Sequence, residues 1–312
     1  AAPPQTSDGG KVAVWVLDTL DWQVGDGAAN LERRRAILDD IADETGEDLA
    51  LLPSKVSNVS NMNTDDYVDP VFGHHEFIEG IIRRIEPGAS VTQVPVMTSF
   101  GASTDATVAR ILEEQIDKDS LAKPGLVNVS LGAYTVDDEP PIALSAVIRK
   151  LRAAGWIVVA SAGNDATCRP LFPAAERDVI AVGAVGSTGP APFTNYGPWV
   201  NACAPGVDLI SAMSDPTMFV DVKGEVTEPT KAQVDALALE QAPGIKAQAE
   251  RQLVRWSGTS FSAPAVAATL ARTALRRSPV DGKLDLDGAV DELLHDPVLF
   301  RMPQLGTLVN VT

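Results

Sequence analysis

Short apolar runs alternate with helix-like stretches over residues 11–185, and this alternation limits the possible folds more than any other feature of the chain. The first run, residues 12–17, is apolar at every position, which is typical of a strand buried on both faces. Apolar strands separated by helices predict parallel βαβ units. We therefore predict an α/β protein with a mostly parallel central sheet flanked by helices.

Charge and hydropathy exclude several classes of partner. The chain has 25 basic and 42 acidic residues, a net charge of −17, which argues against nucleic acid and anionic membrane surfaces. No run reaches the length of a transmembrane helix, and no signal segment is visible. The start at Ala1 without methionine points to a removed leader or pro-segment. We expect a secreted or extracytoplasmic protein with a possible pro-segment or inhibitor outside this chain, and a cytoplasmic location stays open.

Residues 256–264 place six small residues where an exposed turn meets an Ala-rich helix. Gly258 allows a tight backbone, Thr259 or Ser260 can cap the helix, and Pro264 falls within about the first turn. A serine at a helix start lies beside unpaired N–H groups and the positive end of the helix dipole. This environment suits a hydroxyl that attacks a carbonyl, so Ser260 is the candidate nucleophile. A capped helix start without chemistry is the alternative.

Two upstream segments carry the partners that a serine nucleophile needs. Asp18 follows the first apolar run, at the strand end where open α/β sheets place their working residues. His74 and His75 begin a helical segment, and a neutral imidazole can accept a proton near neutral pH. The two histidines lack a third ligand motif, so we expect no metal and no other cofactor. Asp18 as a simple turn cap is the alternative.

These segments together resemble the subtilisin family of serine peptidases. Residues 256–264 are similar to the family's nucleophile motif, Asp18 to its strand-then-Asp motif, and residues 73–82 to its histidine helix. The order Asp, His, Ser is the one that subtilisin uses. The resemblance covers about residues 11–275. It implies a subtilisin-like three-layer fold in a single domain, residues 1–312, with insertions at about 22–70 and 212–254.

The resemblance implies a catalytic role for four residues. Asp18 would orient His74, His74 would act as general base toward Ser260, and Asn164 would donate its side-chain amide to the oxyanion. Leu20 and His75 stand where the family usually has glycine. The alignment favours His74 over His75 as the base.

The resemblance also implies a peptide-binding cleft. Its residues form an edge that pairs with substrate, a pocket wall, the oxyanion strand and the pocket floor. They are Phe100, Gly101 and Ala102; Ser130, Leu131 and Gly132; Ala162, Gly163 and Asp165; and Leu171 with Thr259. Leu171 at the floor predicts a shallow apolar pocket, whereas Asp165 with the acids at 137–139 predicts a basic residue before the scissile bond. We favour an apolar pocket that tolerates basic residues.

Two further expectations concern metals and thiols. Many relatives insert a calcium-binding loop between the histidine helix and the next strand, and residues 86–90 leave no room for it. Cys168 and Cys203 are separate buried thiols or form a single bridge, and the sequence leaves both open.

The predicted function is that of a serine endopeptidase acting on peptides or proteins. Two alternatives stay open. The first is a peptide ligase or macrocyclase on the same scaffold, in which the insertions shield the acyl-enzyme from water. The second is a silent peptide-binding relative, suggested by Leu20 and His75.

Overall fold

The computed structural model describes residues 11–19, 71, 73–98, 101–119, 121, 123–213, 252–280 and 282–311. Leu20, Phe100, the whole predicted insertion at about 22–70 and all but the ends of the one at about 212–254 lie outside these residues. So does the amphipathic helix that the apolar positions of residues 30–45 predict. In the part described, a mostly parallel sheet has helices on both faces. The predicted α/β architecture is therefore confirmed.

The strands of the described part are short and mostly buried. They are β1 (Ala13–Thr19), β2 (Ser90–Met97), β3 (Leu126–Val129), β4 (Ile157–Ser161), β5 (Val179–Gly186), β6 (Gly189–Pro190), β7 (Ala202–Pro205), β8 (Leu209–Met213), β9 (Gln252–Trp256), β10 (Arg301–Met302) and β11 (Gly306–Leu308). The central sheet has the order β10-β11-β7-β5-β4-β3-β1-β2, with β6 beside β5. Its pairs are parallel except β5–β6 and β10–β11, and β8 pairs separately with β9 in an antiparallel ribbon.

The helices of the described part are α1 (His74–Ile85), α2 (Asp105–Asp119), α3 (Ile142–Ala153), α4 (Thr259–Arg276) and α5 (Leu286–Val290), which continues into a π-helical turn at Asp291–His295. The sequence predicts α3 from residue 140, two residues early. Pro141 disfavours helical backbone at Pro140 before it, so the helix does not begin there, and Pro141 itself is the extended N-cap residue.

The alternation of side chains along β1 explains why Asp18 faces one particular layer. Val14 and Val16 point into the core that holds α1 and α4, whereas Trp15 and Leu17 point into the core that holds α2 and α3. Successive strand side chains point to opposite faces. Asp18 therefore faces α1 and α4, the two helices that carry the candidate base and nucleophile.

The topology of the sheet reverses direction at β1. This strand pairs with β2 on one side and with β3 on the other, although the chain visits β2 first. In open α/β sheets, sites form outside the carboxyl ends of the strands at such a reversal. The fold therefore predicts a site at the end of β1, where Asp18 lies.

Candidate active site

Asp18 and His74 form a buried hydrogen-bonded pair at this edge of the sheet. Asp18 is fully buried, and both of its carboxylate oxygens lie 2.8 Å from Nδ1 of His74. The backbone N–H of Thr19 donates to Asp18 Oδ1 at 2.7 Å. A buried carboxylate needs such donors, because burial without them is costly.

The His74 ring is held by backbone geometry on one side and aromatic packing on the other. Gly73 has a left-handed backbone (φ 69°), a conformation that favours glycine, and it leads the chain into α1. The ring packs against Trp256 with centroids 5.4 Å apart and against Phe261 with centroids 5.2 Å apart. Trp256 and Phe261 flank residues 257–260 in sequence, so the imidazole lies between Asp18 and the segment that carries Ser260.

His75 contacts a different partner. Its Nδ1 lies 3.0 Å from Oγ1 of Thr19, and its side chain is buried. The structure thus brings His74, and not His75, to the carboxylate of Asp18, and the role of His74 as the base stays a prediction.

Asn164 caps the helix that begins at the nucleophile motif. α4 starts at Thr259 with Gly258 in the N-cap position, so the expectation that Thr259 or Ser260 caps the helix is wrong. Instead, Oδ1 of Asn164 accepts from the backbone N–H and from the hydroxyl of Thr259, both at 2.9 Å. Because Oδ1 is engaged in this way, the Nδ2 donor is left over, and within the described residues it makes no hydrogen bond. The backbone N–H of Ser260 likewise has no acceptor among them.

Pro264 leaves the carbonyl oxygen of Ser260 without its helical hydrogen-bond donor. It is the sixth residue of α4 and lies in the second turn, not in the first as predicted. A proline has no N–H, so the carbonyl four residues before it loses its helical donor. The Ser130 hydroxyl replaces that donor and lies 2.8 Å from the Ser260 carbonyl oxygen. Pro264 thereby links the start of α4 to the end of β3.

The hydroxyl of Ser260 points to the same neighbour. Its Oγ lies 3.4 Å from the carbonyl oxygen of Ser130, and in the described part of the chain no hydrogen bond joins it to His74. Ser260 is half-buried, which leaves its side chain open to an approaching ligand.

Leu171 packs closely against Gly132 and Gly163. A Cβ on Gly132 would come 2.8 Å from Leu171 Cδ2, and one on Gly163 would come 2.9 Å from the same atom. Gly163 also has a left-handed backbone (φ 103°). Side chains other than glycine would therefore collide with Leu171, and its place at the floor of a pocket stays a prediction. Leu131 is half-buried beside this wall.

Two residues that the sequence assigns to substrate contact are fully buried. Ala162 is fully buried, its N–H donates to Val182, and its carbonyl accepts from Asn195. Thr259 is also fully buried, and its hydroxyl accepts from the N–H of Gly163 and donates to Asn164. These hydrogen bonds join Ala162 and Thr259 to their neighbours, and direct contact of either residue with substrate stays a prediction.

The predicted substrate-pairing edge is partly folded on itself. The N–H of Gly101 donates to the Thr98 carbonyl at 2.9 Å, and the Ala102 carbonyl accepts from the Thr98 N–H at 3.0 Å. The Ala102 N–H donates to the Thr98 hydroxyl at 3.1 Å. Of these two residues, only the Gly101 carbonyl makes no hydrogen bond within the described part of the chain. Pairing with substrate here stays a prediction.

Two acidic residues of the predicted pocket rim, Asp138 and Asp165, form hydrogen bonds with neighbouring side chains. Asp165 accepts a hydrogen bond of 2.7 Å from the Tyr134 hydroxyl, and together with burial this bond raises the pKa of Tyr134. Asp138 pairs with Arg169 at 2.6 Å, and the Arg169 guanidinium lies 5.0 Å from the centroid of the Tyr134 ring. The rim is therefore less negative than its carboxylates alone suggest.

Sequence reasoning missed Asn195, which supports the segment on either side of Asn164. Its side chain is fully buried, and Oδ1 accepts from the N–H groups of Asp165 and Thr167 while Nδ2 donates to Ala162 and Tyr134. The signal was a polar residue within a family-like turn, residues 193–197, which could equally have faced solvent.

The two cysteines differ in their exposure to solvent. Cys168 is exposed and Cys203 is buried, and both are free thiols, so they form no bridge. Burial raises the pKa of Cys203 to about 12.

In the described part of the chain, no group of three or more His, Cys, Asp or Glu side chains could hold a metal ion. α1 and β2 are joined by residues 86–89 alone, which confirms the short link. None of the described helices is long and apolar enough to cross a membrane.

A buried Asp–His pair beside a serine at a helix start, on a mostly parallel sheet, is typical of serine hydrolases. The model of the subtilase family, Peptidase_S8, matches residues 64–278. The chain belongs to this family.

Individual relatives match over part of their length. The chain is 30% identical over 206 residues to the thermophilic serine proteinase of Bacillus sp. (strain AK1), covering 62% of this chain and 48% of the relative. It is 26% identical over 221 residues to subtilisin DY of Bacillus licheniformis, covering 66% of this chain and 77% of that protein. The chain thus spans about half the length of the first of these relatives.

Solved structures agree on the fold. The prenylagaramide maturation protease PagA has a TM-score of 0.61 at 20% identity, covering 96% of this chain and 90% of that one. A cold-adapted subtilisin-like serine proteinase has a TM-score of 0.59 at 16% identity, covering 97% and 90%. At these identities the likeness concerns the fold alone.

Proposed function

We propose that the chain is a serine endopeptidase in which Asp18, His74 and Ser260 act together. The observation that carries this proposal is the buried Asp18–His74 pair, whose ring packs against the two aromatic residues that flank the Ser260 segment. A pair of this kind holds the imidazole in one tautomer, with a proton on Nδ1 and a free lone pair on Nε2. Nε2 is then ready to accept the serine proton.

The proposed reaction has two halves. Ser260 Oγ attacks the scissile carbonyl carbon while its proton passes to His74 Nε2, and His74 then gives that proton to the leaving amine. A water, deprotonated by the same nitrogen, attacks the acyl-enzyme and releases Ser260 with the second product. Asp18 stays ionised throughout and stabilises the imidazolium that forms in each half.

The oxyanion would be held by two N–H donors that make no other hydrogen bond within the described residues. The Ser260 N–H and the Asn164 Nδ2 have no acceptor within the described residues, whereas Asn164 Oδ1 is fixed by Thr259. Donors that are oriented before the substrate arrives lower the barrier without reorganisation at the moment of reaction. This arrangement supports Asn164 as the side-chain donor.

The resting position of Ser260 must change before attack. Its Oγ now lies 3.4 Å from the Ser130 carbonyl, a long and weak hydrogen bond that is easily given up. Rotation to another staggered χ1 position would free it for His74. Catalytic hydrogen bonds often tighten only when substrate is bound, so this geometry is compatible with the proposal.

The pocket supports an apolar residue before the scissile bond. Leu171 supplies an apolar floor, and Asp138 is already paired with Arg169. The Asp165 side chain, which accepts from Tyr134, lies at the proposed rim, where it would permit a basic side chain to reach past the floor. A peptide-library profile with a strict preference for acidic residues at this position would contradict the proposal.

Covalent labelling tests the nucleophile. Diisopropyl fluorophosphate should modify the folded chain once, and Ser260→Ala should abolish the modification. Ser262→Ala is the matched control, because Ser262 belongs to the same motif but donates to the carbonyls of Ala204 and Pro205 in the core. Labelling that survives Ser260→Ala, or a folded chain that does not label, would overturn the proposal.

Hydrolysis and transfer to an amine are distinguished by their products. Mass spectrometry of a digest with added amine nucleophile should give carboxylate products for an endopeptidase, and amide-linked products for a ligase or macrocyclase. Export and a pro-segment stay predictions, which N-terminal sequencing of the protein recovered from its source culture would test.

A further inference from the structure

Thr19 connects the second histidine to the carboxylate of the proposed triad. Its Oγ1 lies 3.0 Å from His75 Nδ1 and 3.2 Å from Asp18 Oδ1, and Asp18 in turn lies 2.8 Å from His74. All four residues are buried, at 5% exposure or less. The two neighbouring histidines thus contact the same carboxylate, one directly and one through a hydroxyl.

The hydroxyl of Thr19 has a single proton, which fixes the direction of this chain of bonds. It can donate to Asp18 Oδ1 or to His75 Nδ1, but not to both. Asp18 is a carboxylate and only accepts, so its contact with Thr19 Oγ1 requires the hydroxyl proton. His75 Nδ1 must then carry a proton itself and donate to Thr19 Oγ1.

The backbone around Thr19 is shaped for this contact. Asp18 is in register with Pro95 and Thr19 with Met97, so the pairing of β1 and β2 shifts by one residue between them. Pro95 has no N–H to donate to β1, and β2 is the last strand of the sheet, where proline is tolerated. Irregularities of this kind redirect side chains next to active sites. The Thr19 hydroxyl thereby turns back toward the carboxylate that precedes it.

The start of α1 separates the two imidazoles. Adjacent residues on a helix point about 100° apart. His74 therefore faces Asp18 while His75 faces Thr19, and neither ring displaces the other.

We propose that His75 is a positioning residue, which fixes the Thr19 hydroxyl so that the Asp18 carboxylate keeps one orientation against His74. This inference rests on the proposed triad. The glycine that the family usually has after the catalytic histidine could not supply this donor, so the device is particular to chains with histidine at this place. Without it, the hydroxyl would be free to rotate away from Asp18 and the carboxylate would lose one of its donors.

Nitrogen-15 NMR of the unmodified chain tests the direction of the bonds without any activity. Two-bond correlations distinguish a protonated ring nitrogen from an unprotonated one. We expect His75 to be neutral with its proton on Nδ1. A His75 whose Nδ1 is unprotonated would be the acceptor of the Thr19 hydroxyl, and the inference would be wrong.

Kinetics of paired variants test the effect on the reaction. Active-site titration first sets the concentration of competent enzyme, so that loss of folded protein does not count as loss of turnover. Relative to the unmodified chain, His75→Leu and Thr19→Val should each lower kcat roughly threefold to tenfold with KM unchanged, the size expected for one lost hydrogen bond. The double variant should lose no more than Thr19→Val alone, because both changes break the same chain of bonds.

Conservative variants and a distant histidine complete the design. His75→Asn keeps an N–H near the position of Nδ1, Thr19→Ser keeps the hydroxyl, and both should recover most of kcat. His295→Leu, at an exposed position, should change nothing. Additive losses in the double variant, or equal losses in the Leu and Asn variants, would overturn the inference. If the triad proposal itself were wrong, the unmodified chain would already fail to label.

Discussion

Asp18–His74 and Asp291–His295 contain almost the same hydrogen bond in opposite surroundings. The distance between Oδ and Nδ1 is 2.8 Å in the first pair and 2.9 Å in the second. The side chains of the first pair are 0% and 6% exposed, and those of the second pair are 75% and 61% exposed. The second pair is a one-turn contact at the surface, near the end of the described chain.

The difference in burial shows that an Asp–His hydrogen bond alone does not make an active site. An exposed ion pair is screened by water and contributes little, whereas a buried one must be matched by donors around it. Asp18 has the N–H and hydroxyl of Thr19, and His74 has Trp256 and Phe261. No nucleophile or oxyanion donor in the described part of the chain is placed beside Asp291.

The largest contrast is expected on removing the acid of each pair. Asp18→Asn should lower kcat about 10⁴-fold, as for the corresponding acids of other serine peptidases, because the amide would stabilise the wrong tautomer of His74. Asp291→Asn should leave kcat unchanged. Peptide hydrolysis at substrate saturation measures both. Equal effects in the two variants would remove the distinction between the pairs.

The two cysteines extend the comparison to a second kind of side chain. Cys203 is buried and its pKa is raised to about 12, whereas Cys168 is exposed. The thiolate is the reactive form, so Cys203 should react about 10³-fold more slowly than a thiol with the ordinary value of 9.0, before its burial slows it further. A disulfide reagent should titrate one thiol per native chain. Cys168→Ser should remove it, and a folded Cys168→Ser chain that still releases one equivalent would contradict this.

Variants of Asn164 separate its structural role at the start of α4 from its proposed role as an oxyanion donor. Asn164→Ala should lower kcat about 10²–10³-fold, a magnitude measured in subtilisin, a member of this chain's family. It should also lower the melting temperature, because Thr259 loses the acceptor that caps α4. Asn164→Asp keeps that acceptor and loses the Nδ2 donor. It should therefore lose turnover while keeping stability, and a parallel loss of both would show that Asn164 has only a structural role.

Glu176 shows the smaller effect of burying a carboxylate with few donors. Burial raises its pKa, although the Ser145 hydroxyl donates to it and Arg149 lies nearby. The folded state therefore holds the proton more tightly than the unfolded state. This residue's contribution to stability is greatest below the unfolded value of 4.5 and falls as pH rises through the folded pKa.

Glu176→Gln should remove this dependence. We expect little change near pH 4 and a gain on the order of 1 kcal/mol or less at pH 7. Urea denaturation at the two pH values measures the difference. A loss of stability at pH 7 would mean that the carboxylate is better satisfied than its surroundings suggest.

The regular elements were largely predictable because they depend on local pattern. An apolar run and a 3.6-residue period in the sequence predict a strand at 126–129 and a helix at 74–85, and the structure has both elements with these bounds. The ribbon of β8 and β9 was not predictable. Its strands are separated by 38 residues, and nothing in the local sequence specifies their pairing.

The site was predictable where one residue sits at an element boundary, and less so where distant side chains meet. The end of β1 and the start of α1 fix Asp18 and His74 opposite each other. The contact of Thr19 with His75 depends on the register shift beside Pro95, and the engagement of Asp138 by Arg169 depends on two loops. Such contacts follow from packing, which a single sequence does not encode in readable form.

A crystal structure of the chain with a peptide boronic acid would show whether Ser260, His74 and Asn164 act together. Boron bonds to the attacking oxygen, and the resulting adduct resembles the tetrahedral intermediate. We expect a covalent bond from boron to Ser260 Oγ. One boronate oxygen should lie about 2.7–3.1 Å from both Asn164 Nδ2 and the Ser260 N, with His74 Nε2 bonded to another. Boron bonded elsewhere, or Asn164 turned away from the adduct while Asp18 and His74 keep their contact, would contradict the account.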